Sequence, residues 1–99
     1  ERFTPAPDAK PEALKAMVAD AKQYFAPIKL RLEHVMIMKG LTDHLEQSDA
    51  HAEAADALAS FGELLSKSDD KRFAALGQQF AQRFTTTLRF MEFAAVIMA

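Results

Sequence analysis

The side chains best suited to chemistry in this 99-residue chain are three histidines and fourteen carboxylates, and there is no cysteine. His44 and His51 are seven residues apart. A helix carrying both would hold them on one face but about 10 Å apart along its axis, too far to share a metal ion. His34 has Glu33 beside it, whereas the Glu-x-x-His pairing of helical di-metal sites needs the acid three residues earlier. His34 also precedes Lys39 and Gly40, but at the wrong spacing for a phosphorelay histidine. The carboxylates crowd between Asp43 and Asp70 with no apolar frame to enclose two of them, and enclosure is what brings a carboxyl pKa into the range of acid–base work. Ser60, Ser66 and Ser68 have no elbow or triad context. The glycines, Gly40, Gly62 and Gly77, are isolated and form no phosphate loop. The chain therefore reads as non-enzymatic, with no catalytic residue, metal site or cofactor expected.

One basic pattern remains. Lys15, Lys22 and Lys29 recur every seven residues and would line one face of a continuous helix. Such a stripe could contact anionic lipid at a membrane surface. The plainer account is the solubilising edge of a coiled coil. No aromatic residues interleave with these lysines to stack on bases, so nucleic acid is not expected as a partner. Charge is segregated along the chain. Residues 41–70 carry eight acids against Lys67 alone, while the segments on either side are net basic. That arrangement suits antiparallel helices with opposite signs side by side.

The elements that must carry these residues are helices. Residues 1–9 hold two prolines and little periodicity, which predicts an extended lead-in or linker. Pro11 and Glu12 suit a first helical turn. From there Leu14, Val18, Phe25, Ile28, Leu32, Val35, Leu41 and Leu45 step by three and four or their multiples, the spacing of a long amphipathic helix. Pro27 falls inside the run, and because the stripe keeps phase across it a kink is predicted rather than a break. Small residues follow at Ser48, Ala52, Ala55, Ala59 and Gly62, where a second backbone could approach closely. Ser48 or Asp49 could cap a new helix there. Residues 66–70 are polar throughout and predict a turn, with Ser68, Asp69 or Asp70 as cap.

The last helix carries Phe73, Phe80 and Phe84 on one face, with Phe90, Phe93 and Ile97 largely on another. Thr85, Thr86 and Thr87 are weak helix formers, so packing must hold that turn. The apolar run from Phe93 onward has no capping signal, and the helix is expected to continue into a longer chain. The expected fold is all-α: long amphipathic helices forming an antiparallel coiled-coil-like hairpin or a three-helix bundle, with one helical domain over 10–99. No apolar run approaches the ~20 residues of a membrane span. A cysteine-free chain fits a reducing compartment, so a cytoplasmic setting is expected, with peripheral membrane contact through the lysines.

The segment LRLEHVMIMKGLTDHLEQSDAHAEAADALASFGELL, the turn SKSDD and the helix KRFAALGQQFAQRF resemble the first part of the BAR-type helical region of sorting nexins. The resemblance implies a dimer of antiparallel helical coils that senses or imposes membrane curvature. Two features depart from that pattern: the chain has about half the length of such a region, and its centre is acidic where a membrane-facing surface is basic. The residues themselves point to a helical interaction or assembly module whose partner is another helical protein or a second copy. A different reading is a helical subdomain of a larger enzyme or sensor whose chemistry lies elsewhere.

Overall fold

A computed structural model describes the backbone of residues 3–98 and the side chains of residues 3–93. The chain is all-helical, with α1 at Pro11–Phe25, α2 at Leu32–Gln47, α3 at His51–Ser66 and α4 at Lys71–Met98. α1, α2 and α4 each pack on α3, which is the hub. The reason lies in its composition. Ala54, Ala55, Ala57 and Gly62 are buried beside Leu58, Phe61 and Leu65, so small side chains let neighbouring helices approach over a wide arc. Of the expected small-residue stripe only Ala55 and Gly62 are buried, while Ala52 and Ala59 face outward.

The predicted kink at Pro27 is a full break. Proline has no N–H to offer the carbonyl of Gln23, and its ring crowds that carbonyl. α1 accordingly stops at Phe25, closed by the Ala26 N–H donating to Lys22 O at 3.1 Å. Residues 26–31 connect to α2, with Ile28 and Leu30 half-buried against the core. Because the phase restarts after the break, Leu32 leaves the inward stripe and is 58% exposed. α2 begins after an extended Arg31, whose backbone N–H donates to His34 Nδ1 at 3.0 Å. This bond satisfies one of the donors that a helix start leaves without an intrahelical partner. α2 buries Val35, Met38, Leu41, Thr42 and Leu45. The Thr42 hydroxyl, fully buried, donates to Met38 O at 2.8 Å.

The first rod is therefore interrupted twice, and the long hairpin reduces to α3 and α4. The second interruption is a Schellman-type stop. Ala50 N–H donates to Leu45 O at 3.0 Å and Asp49 N–H to Glu46 O at 3.2 Å, with Asp49 left-handed at φ 58°. Asp49 thus ends α2 instead of capping α3. The first cap of α3 is Ala50, and no side chain bonds there.

The turn at residues 67–70 is where the sequence places it. Asp70 Oδ1 accepts the Arg72 N–H at 2.9 Å and caps α4, while Ser68 Oγ accepts the Asp70 N–H at 3.2 Å. α3 and α4 then run antiparallel, from Gly62 against Gly77 to His51 against Phe90. The threonine turn is held both ways: Thr87 is buried, and Thr85 and Thr86 donate to the carbonyls four residues back.

The lead-in is not a free linker. Phe3 is 6% exposed, with its ring 5.6 Å from those of both Tyr24 and Phe25. A single aromatic anchor in a proline-containing stretch has no periodicity, which is why spacing alone does not reveal it.

Candidate interaction surface

The residues expected to pack helices fall into two groups. Leu14, Val18, Phe25, Val35, Leu41, Leu45, Phe73 and Phe80 are buried within this chain, and Ile28 and Phe84 are partly so. Leu32, Phe90 and Phe93 are exposed, while the Ile97 side chain lies outside the described residues.

The exposed residues belong to two outward surfaces. On α2, Leu32, Met36 and Gly40 occupy the side opposite Val35, Met38, Thr42 and Leu45. Met36 is 65% exposed, and a Cβ placed on Gly40 would meet nothing within 4 Å. Solvent-facing positions of a helix normally carry charge, so an exposed Leu, an exposed Met and a Gly in one row stand out.

Beside this row runs an open groove of about 890 Å³. Phe3, Thr4, Pro5 and Tyr24 form one wall, and Glu33, His34, Met36, Ile37, Gly40, Leu41 and His44 form the α2 side. Gly40 widens it, and the anchored Phe3 segment gives it a second wall. Met36 and Gly40 were not among the interface residues read from the sequence. The signal for them is an apolar residue, Met36, out of phase with the Val35–Leu41–Leu45 stripe, with a glycine one turn on.

The second surface is the end of α4. Phe90 rests on the His51 ring, centroids 4.9 Å apart, and His51 is the first residue of α3. Residues 91–98 therefore project past that helix. Phe93 is 63% exposed on the side away from Phe73, Phe80 and Thr87.

The charged residues act mainly as structural ties. Arg83 Nη2 on α4 donates to Asp43 Oδ1 at 2.9 Å and to Glu46 Oε1, both on α2, and its guanidinium lies 5.4 Å from the Phe80 ring centroid. Burial alone would raise the Asp43 carboxyl pKa. Hydrogen bonds from Lys39 and Arg83 outweigh that and hold it below its ordinary value. Burial alone would likewise lower the Arg83 pKa, and the Glu46 and Asp43 carboxylates raise it instead. Lys22 on α1 reaches Asp56 on α3 at 3.2 Å. These contacts join the acidic middle of the chain to its basic flanks.

The lysine stripe does not form as a helical face. Lys15 and Lys22 share α1, but Lys29 lies in the connection after the break, and Lys22 is paired to Asp56. Each histidine makes a local contact. His34 accepts from Arg31, His44 Nε2 is 3.3 Å from Ser48 Oγ, and His51 Nε2 is 3.7 Å from Asp49 Oδ1. Among the described residues no three His, Asp or Glu gather to hold a metal ion, and no helix is long and apolar enough to cross a membrane.

No family model, curated protein or solved structure matches this chain. Leu32 and Met36 on α2 and Phe93 on α4 stand exposed with no covering element among the described residues.

Proposed function

We propose that this chain is a non-catalytic helical assembly module whose outward faces on α2 and α4 join it to other helices. The observation that carries this reading is the α2 row: Leu32 at 58% exposure, Met36 at 65% and the open position at Gly40, beside a walled groove. Apolar surface of this kind gains free energy when covered, by about 25 cal/mol for each Å² removed from water. The groove also offers the shape into which an amphipathic helix lays its apolar side. Exposed Phe90 and Phe93 at the α4 end add a second contact of the same chemistry. A place in a BAR-like trafficking scaffold is the biological setting that the sequence resemblance suggests for such a module.

Light scattering on the purified chain tests the reading. A mass above that of the monomer is expected at micromolar concentration, and Met36→Glu or Phe93→Glu should lower it while helical content stays unchanged. A compact monomer unaffected by either substitution would contradict it.

A further inference from the structure

We propose that His34 is a pH-responsive latch on the first turn of α2, closed by the neutral imidazole and released by the imidazolium. This inference stands apart from the assembly reading. Its basis is one hydrogen bond: the Arg31 backbone N–H donates to His34 Nδ1 at 3.0 Å. A ring nitrogen that accepts carries no proton of its own, so the imidazole is the neutral tautomer with its hydrogen on Nε2. Once both nitrogens are protonated, Nδ1–H faces the Arg31 N–H, and two donors cannot bond. His34 is the third residue of α2, where a capping box ordinarily has Glu or Gln. Those side chains keep an acceptor oxygen through mildly acid solution. Histidine is the acceptor that gives up its lone pair between about pH 5 and 8.

Little else steadies the entry to α2. Arg31, at the cap position, makes no side-chain cap bond, and α1 has already ended at Phe25. The His34 ring centroid lies 5.6 Å from that of Phe25, so this side chain joins the end of α1 to the start of α2. The other titratable groups lining the shared groove are Tyr24 from α1 and Glu33 and His44 from α2. Glu33 draws positive charge toward the ring, whereas the Arg31 guanidinium and the positive end of the α2 dipole oppose it. None of these forces supplies the lone pair that protonation removes. The released turn carries Leu32, Glu33 and His34, so acid loosens the α2 side of the groove that faces Phe3 and Tyr24.

Nuclear magnetic resonance on the full chain reads this bond directly, as a scalar coupling across it between the Arg31 amide nitrogen and His34 Nδ1. The coupling should be present near about pH 8 and absent near about pH 5. Over that range exchange of the Arg31 amide, corrected for its intrinsic pH dependence, should speed up by about two- to tenfold, the worth of one hydrogen bond. His34→Gln supplies an acceptor that does not titrate, so its Arg31 amide should stay equally protected at both pH values. His44 and His51 remain in that variant and serve as the internal control.

If the Arg31 amide of His34→Gln loses protection in acid as the wild type does, another group causes the change and the latch is wrong. A wild-type chain with no Arg31–His34 coupling near about pH 8, or one whose coupling survives protonation of the ring, would overturn it as well.

Discussion

A methyl group on Gly77 would stand 2.8 Å from the carbonyl oxygen of Gly62 and 2.5 Å from Ser66 Oγ. The α3–α4 hairpin is thus closed at a point where Gly77 has no room for another atom and Gly62 has little, a Cβ there standing 3.2 Å from that of Phe80. Gly40 is the reverse case, a helical glycine with nothing around it.

These two glycines should respond oppositely to alanine. Gly77→Ala forces α3 and α4 apart and is expected to cost about 1–3 kcal/mol. Gly40→Ala removes backbone freedom from the unfolded chain and adds no clash, so a gain of up to ~1 kcal/mol is expected. Urea unfolding of both variants gives the comparison, and effects of the same sign would refute it.

Asp49 holds a left-handed backbone, φ 58°, at the position where such helix stops usually carry glycine. Asp49→Gly should raise stability by about 0.5–1 kcal/mol, whereas a β-branched residue there should lower it by more. Thermal unfolding of Asp49→Gly and Asp49→Val would decide. If Asp49→Val matches the wild type, the stop is not built as described.

Arg83 is 30% exposed and ties α4 to Asp43 and Glu46. Replacing it with Met keeps the packing over Phe80 but leaves two half-buried carboxylates side by side. The expected loss is about 1–2 kcal/mol, between the values for exposed and buried pairs. Adding Asp43→Asn to Arg83→Met should recover part of that loss, and a double-mutant cycle reads the coupling.

The side-chain hydrogen bond from Arg72 and the backbone bonds at the α4 cap hold the Asp70 carboxyl well below its ordinary 3.8, at about 2. A carboxyl depressed in the folded state binds its proton more readily when unfolded. Its stabilising contribution is therefore present above pH 3.8 and is lost as pH falls through about 2. Asp43, also lowered, acts in the same direction. Asp70→Asn retains a capping oxygen without the charge, so it should unfold earlier than the wild type near neutrality and match it below pH 2. A gap between the two that persists unchanged into strong acid would contradict this assignment.

Much of the helical framework is legible in the residues. The stripes Leu14–Val18–Phe25 and Val35–Leu41–Leu45 are buried as their periodicity requires, and the polar run before Lys71 is the turn. What the spacing concealed was phase. A stripe that continues across Pro27 on paper cannot show that the helix stops there and starts again rotated. Leu32 is placed inside by one reading and outside by the other. The same break separates Lys29 from Lys15 and Lys22, whereas Met36 and Gly40 share the outer side simply because they are four residues apart on α2. Phe3 escaped for a different reason: it is anchored by tertiary contact with Tyr24 and Phe25, and no local pattern encodes that contact.

Sedimentation velocity of the unmodified chain over a range of concentrations is the most direct measurement of whether these outward faces are built for company. The expected result is a weight-average mass that climbs with concentration toward an assembled species, and a Met36→Glu chain whose mass climbs less while its helices stay intact. A sedimentation coefficient that does not move with concentration, identical for both proteins and equal to that of a single 11.0 kDa chain, would contradict it.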